Sequence, residues 1–164
     1  MDHPKIIIAI SALVFSLQAF SGNISEQVGI GDAVQLPVLA DQFNNKHSFK
    51  ADTTWVVLSH DMDSGFVVKE AFDGQSNKKL TATGIQYYSD ISTMPEYYFK
   101  FVMLPKFKTL TYSMILGRET MDLEHIPRIS GKAMLLRIHN GKLVELLSSD
   151  DPQVIRQKVL VTDS

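Results

Sequence analysis

His60, Asp61, Asp63 and Ser64 crowd the positions just behind the apolar run Trp55-Val56-Val57-Leu58-Ser59. Asp90 stands near the end of a second strand-like stretch, Ile85 to Ile91. Carboxylates beside an imidazole have the donor atoms for a hard or borderline cation. A serine with a histidine and an aspartate has the parts of a nucleophilic triad, which only geometry can establish. Ser64 and Ser92 are the serines in reach, and neither sits in a Gly-x-Ser-x-Gly elbow. The plainer reading is that Asp63 or Ser64 caps a helix, a side-chain oxygen there satisfying an orphan backbone N–H. Capping accounts for those residue types completely, so the sequence predicts neither a metal site nor a catalytic residue. Thiol chemistry is excluded outright, because the chain has no cysteine and thiolate is the reactive species.

A second pattern is aromatic: Tyr97, Tyr98, Phe99, Phe101 and Phe107 fall in one short stretch. Aromatic residues are enriched in interface cores, which makes the stretch a candidate partner-binding face. They also suit a helix packed on a sheet, with Tyr97 and Phe101 sharing one face at i, i+4. One sheet cannot bury all five.

The elements that must position these residues follow from pattern. Trp55 to Ser59 is apolar on both faces, as a central parallel strand is. A short helix follows, with Phe66, Val67, Ala71 and Phe72 near helical spacing, and then a polar loop from Gln75 to Lys79. Ile85 to Ile91 is the next strand. Pro95 and Glu96 start a helix that Pro105 should end near Leu104. Tyr112 to Leu116 is a third strand. Met134 to Ile138 and Lys142 to Leu147 flank Asn140-Gly141, the strongest short hairpin signal. Asp151-Pro152 opens a last helix. Ahead of all these, the stretch from Gly31 to Gln42 and His47 to Phe49 form a short strand pair, turned at Asn44-Asn45-Lys46. Strands alternating with helices, closed by an antiparallel hairpin, predict a three-layer α/β sheet of mixed direction.

The bulk composition narrows the partners. The chain has 164 residues, one domain's worth, and a formal net charge of −2. No basic stripe with interleaved aromatics is present, so no nucleic-acid partner is expected. Residues Ile6 to Phe20 carry no charge, and the run is too short for the roughly 20 residues that span a bilayer. It fits the apolar region of a secretory signal peptide, and Ala19-Phe20-Ser21 is a small-x-small cleavage site. An uncleaved N-terminal anchor and a buried core helix are the other readings of the same run. The sequence thus predicts a leader over 1–21 cut after Ser21, a spacer over 22–30 and a domain over 31–162. The product is periplasmic or secreted, with no stable membrane anchor once the leader is cut.

The order of elements resembles the thioredoxin-like superfamily, in its exported peroxiredoxin-like and cytochrome-maturation-like branches. Gly31-Asp32 through Asp41-Gln42, then Trp55 to Ser59, resembles the opening hairpin and first core strand. The segment His139-Asn140-Gly141-Lys142 resembles the closing hairpin. The resemblance implies a thioredoxin-like α/β/α fold with a mixed central sheet and a C-terminal hairpin plus helix. Family members place Cys-x-x-Cys just after the first core strand, and here those positions fall on Asp63-Ser64-Gly65-Phe66. The family's cis-proline position falls near Lys132, in Ser130-Gly131-Lys132-Ala133. Lys132 therefore joins His60, Asp61, Asp63, Ser64 and Asp90 as a binding edge. The chain also resembles small cysteine-free exported proteins of Gram-negative bacteria, some of which carry a flavin-dehydrogenase label. No Gly-x-Gly-x-x-Gly turn supports a flavin, and no cofactor is expected. The implied role is a non-enzymatic module that binds a periplasmic protein or a small ligand. A flavin-associated oxidoreductase is the alternative.

Overall fold

A computed structural model describes residues 26–161. The N-terminal run read as a leader lies outside the described residues. Among the described residues no helix is long and apolar enough to cross a membrane.

The centre is β3 (Trp55–Ser59), with all five residues buried. It pairs in parallel with β4 (Ile85–Asp90), which pairs in parallel with β5 (Ile115–Gly117). On its other side β3 runs antiparallel to β6 (Ala133–His139), which forms a hairpin with β7 (Lys142–Ser149). The sheet order is β5-β4-β3-β6-β7, the mixed sheet expected. Asn140 and Gly141 both have positive φ, 51° and 74°, as the tight hairpin turn requires. A separate two-stranded ribbon joins β1 (Leu39–Ala40) to β2 (Lys46–His47).

Alternation along the strands divides the core in two. Trp55, Val57, Tyr87 and Leu135 face α1 (Met62–Ala71) and α6 (Pro152–Ile155), meeting Val68, Phe72 and Ile155. There Phe72 makes edge contacts with Tyr87 and Tyr112 at 5.8 and 5.5 Å between ring centres. Val56, Leu58, Tyr88 and Leu136 face the other way. That side is covered by Val28, Val34 and Leu36 from the N-terminal segment and by Leu123 of α5 (Thr120–Leu123). The second outer layer is therefore mostly irregular chain. Val28 donates its N–H to the His125 carbonyl, so packed structure is under way ahead of Gly31.

Three local expectations are corrected. The polar stretch after Gln75 is not all loop, because α2 (Asn77–Ala82) begins there behind the Ser76 cap. Only Leu80 of α2 is buried, which leaves too little apolar periodicity to read. The short α5 was also missed, being held by a reciprocal Glu119–Asp122 capping box instead of by a wide apolar face. Pro105 does not end its helix. The element runs through α3 (Glu96–Tyr98), a π turn (Phe99–Met103) and α4 (Leu104–Phe107). Leu104 donates to the Phe99 carbonyl five residues back. This widening just before Pro105 makes room for a ring that an unbroken α-helix would exclude. The last helix, by contrast, starts as read, with Asp151 accepting from the Gln153 N–H at 2.8 Å. It continues through a second π turn (Arg156–Leu160).

Candidate functional site

The carboxyl ends of β3 and β4 open into a cavity of about 470 Å³. Its walls come from the start of α1, the segment behind β4, and the α3–α4 helix. Crevices outside the carboxyl ends of strands are where open α/β sheets bind ligands. The lining is mainly apolar, with Phe66, Tyr98, Phe107 and Leu110 among four methionines, Met62, Met94, Met103 and Met114. Met62 and Phe66 are 48% and 57% exposed, so the apolar lining reaches the surface. His60, Asp61, Ser89 and Asp90 supply polar lining, and Lys69 and Lys106 the cationic groups.

The start of α1 fixes Asp61. Its backbone is extended, at φ −144° and ψ 176°, and its Oδ1 accepts the Ser64 N–H at 2.8 Å. The Ser64 hydroxyl returns the favour, accepting from the backbone N–H groups of His60 and Asp61 at 3.1 Å. It donates to the Asp61 carbonyl. The cap is thus Asp61, with Ser64 as its reciprocal partner, and Asp63 is an exposed residue of the first turn outside the cavity lining. The resemblance put the Cys-x-x-Cys positions at 63–66. The i, i+3 pair that closes the helix start lies two residues earlier, at Asp61 and Ser64.

Asp61 also holds a distant loop. Its Oδ2 accepts the Gly131 N–H at 2.8 Å, from a tight turn in which Lys132 donates its N–H to the Ile129 carbonyl. The loop carrying Lys132 therefore lies against the start of α1, as the resemblance implies. The Lys132 ammonium turns away and pairs with Asp150 at 3.8 Å. Burial raises the Asp61 pKa, but the hydrogen bonds from Gly131 and Ser64 and the field of His60 outweigh it, and the net direction is down. His60 Nε2 is 3.4 Å from Asp61 Oδ2, while its Nδ1 is buried without a partner.

Asp90 is brought to the same cavity but is neutralised. Arg128 pairs with its Oδ2, and the Ser92 N–H donates to its Oδ1 at 2.9 Å. Between the strands, Ser59 Oγ lies 2.8 Å from the Tyr87 hydroxyl and 3.1 Å from Ser89 Oγ. Burial pushes the Tyr87 pKa up to about 12 against the hydroxyls of Ser59 and Ser89, so it stays a phenol near neutral pH.

These contacts decide the chemistry. The Ser64 hydroxyl is fully buried and donates to a carbonyl, so no base activates it. Ser92 contributes only its backbone N–H to Asp90. No group of three or more acidic, histidine or cysteine side chains suited to a metal occurs among the described residues. A second cluster gathers around Asp41, whose Oδ2 meets His47 Nε2 at 2.8 Å and Ser113 Oγ at 3.2 Å. Both bonds converge on one carboxylate oxygen, so histidine does not bridge serine to aspartate and no relay exists. Asp41 also accepts from the N–H groups of Phe43 and Asn45, fastening the β1–β2 turn.

No protein-family model matches the chain, and no curated protein matches it in sequence. Solved structures do. A peroxidoxin from Mycobacterium tuberculosis aligns at TM-score 0.54 and 16% identity, over 82% of this chain and 95% of its own. The thioredoxin domain of a thiol-disulfide oxidoreductase from Bacteroides vulgatus aligns at 0.52 and 15%, over 81% and 99%. The fold is thioredoxin-like. A peroxiredoxin-like protein from Aquifex aeolicus gives the same answer at 0.50 and 12%, over 84% and 89%. At these identities the likeness carries the architecture, and the activity must be argued from the site. In this fold a carboxylate and a hydroxyl, each bonded to the other residue's backbone, occupy the helix start.

Of the expected binding edge, His60, Asp61 and Asp90 line the cavity while Asp63, Ser64 and Lys132 do not, and most of the lining was not singled out from the sequence. Four of the chain's seven methionines meet in one cavity, from positions scattered between 62 and 114. No periodicity joins them. Arg128 was missed too, although an arginine amid Ile126, Pro127 and Ile129 was a signal that a buried anion lay nearby.

Proposed function

We propose that this protein is an exported, non-enzymatic binding module that takes a ligand with an apolar body into the cavity between α1 and the α3–α4 helix. The cavity is the observation that carries the reading. At about 470 Å³ it lies within the roughly 300–1,000 Å³ of small-molecule sites, and like them it is apolar with few polar groups. Methionine walls suit such a role, because the thioether chain is flexible and adapts to the guest. The carboxylates at the strand ends are spent on capping, on the Gly131 loop and on Arg128. The N-terminal pattern supports a leader over 1–21 and a periplasmic or secreted domain over 31–162.

Gly65 offers a clean test. It lines the cavity, and a Cβ built on it meets no atom within 4 Å. A leucine there projects into the open space without disturbing the backbone. Titration with the neutral dye N-phenyl-1-naphthylamine should show saturable 1:1 binding that Gly65→Leu abolishes. Binding that is non-saturable, or indifferent to Gly65→Leu, would remove the cavity from the account.

A further inference from the structure

Charge at the cavity deepens that reading, on which this inference rests. Each carboxylate that lines it is already engaged. Asp61 accepts from Ser64 and Gly131 at the start of α1, and Asp90 is paired with Arg128. Among the described residues, the two lining lysines have no ion-pair partner. Lys69 stands in the last turn of α1 and Lys106 in the last turn of α4, so they approach from different walls. Both are exposed. The other lysine of the α3–α4 helix, Lys100, is taken by Glu96 at 2.7 Å. The cavity thus joins an apolar, methionine-lined interior to two uncompensated ammonium groups.

We infer that its ligand is a single-chain amphiphile with an anionic head group, the chain lying among Met94, Met103, Leu110 and Met114 and the head between Lys69 and Lys106. The volume suits one chain. Lysines act as flexible point charges, not as planar forks, so they suit a rotating carboxylate or phosphate head. Burying the chain supplies the affinity, and the head supplies the choice among amphiphiles.

The test is competition against the neutral dye with four probes of equal chain length: dodecanoate, dodecyl phosphate, dodecanol and dodecyltrimethylammonium. The two anions should bind more tightly than the alcohol, and the cation least. The ratio of dodecanoate to dodecyl phosphate identifies the head. The double variant Lys69→Gln/Lys106→Gln should weaken the anions about tenfold, the size expected for losing charge-assisted contacts at a half-open site. It should leave dodecanol unchanged. Lys78→Gln, on α2 away from the cavity, should change nothing. Added salt should weaken the anions alone. If the alcohol or the cation binds as well as the anions, or if the double variant spares them, the head assignment fails while the cavity reading survives. If the dye binds and no amphiphile displaces it, the amphiphile class fails. If the dye itself does not bind, the cavity reading fails with it.

Discussion

Asp61 makes two separable bonds, and serine in its place separates them. Serine caps a helix about as well as aspartate, so Asp61→Ser keeps the closure of α1. It has no second oxygen to hold the Gly131 N–H. That bond is 2.8 Å long and made to a carboxylate, but both groups are partly exposed. Its net worth is then about 1 kcal/mol, near the middle of the range for hydrogen bonds. Asp61→Ala loses the cap as well, adding about 1 kcal/mol for a total near 2. Urea unfolding should therefore rank wild type, Asp61→Ser and Asp61→Ala in roughly equal steps, with unchanged m-values. Amide exchange gives the local readout: Gly131 should be protected in the wild type and open in both variants, while the Ser64 amide should open only in Asp61→Ala. If Asp61→Ser matches the wild type in stability and in Gly131 exchange, Asp61 is only a cap. The claim that it ties the 129–132 loop to α1 would then be wrong.

Other consequences can be checked separately. Gly65→Ala should stabilise the protein by about 0.5–1 kcal/mol, since the helix gains a better former and the added methyl meets open space; thermal or urea unfolding reads it. Asp41 and Asp61 both have pKa values held below the ordinary aspartate value, burial of each being outweighed by the bonds it accepts. They therefore stabilise the fold above about pH 4, and this contribution is lost as pH falls through their depressed values. Asp41→Asn should flatten the acid limb of a stability–pH curve, and an unchanged limb would count against the Asp41 cluster. In a cell with a secretory pathway the mature chain should begin at Gly22, as intact mass would show, and a full-length membrane-retained chain would refute the leader.

The strands were readable from sequence because each satisfies a strong local rule. Trp55 to Ser59 is a nearly unbroken apolar run, the composition of a strand buried on both faces, and Ile85 to Asp90 is rich in the Ile and Tyr that favour strands. Asn140-Gly141 dictates its own hairpin through two positive φ angles. The helix starts were harder. Asp61, Asp63 and Ser64 are all capable caps, and which one serves depends on where β3 releases the chain. Here the cap is Asp61, with Ser64 as its reciprocal partner. The π turn at Phe99–Met103 was invisible for a similar reason. It answers a steric problem posed by Pro105, and its solution is paid in backbone geometry, not in residue type.

The cavity was the least legible part, and the reason bears on function. Its lining residues come from α1, from the segment behind β4, from the α3–α4 helix and from the approach to β5. Each is unremarkable in its own stretch of chain. Phe107 stands out only as part of the aromatic stretch, and Met103, Lys69, Lys106 and Gly65 belong to no motif. Their convergence is created by the fold alone, so a sequence argument that looks for reactive residues is drawn to the polar strand ends instead. His60 Nδ1 apart, those ends prove to be satisfied: Asp61 by Ser64 and Gly131, Asp90 by Arg128 and Ser92, and Tyr87 by Ser59. Groups whose bonding capacity is met within the protein have little left for a substrate, whereas an open apolar volume beside two unpaired cations has no internal partner. Among the described residues, the cavity and its lysines hold the capacity that the proposed ligand would use.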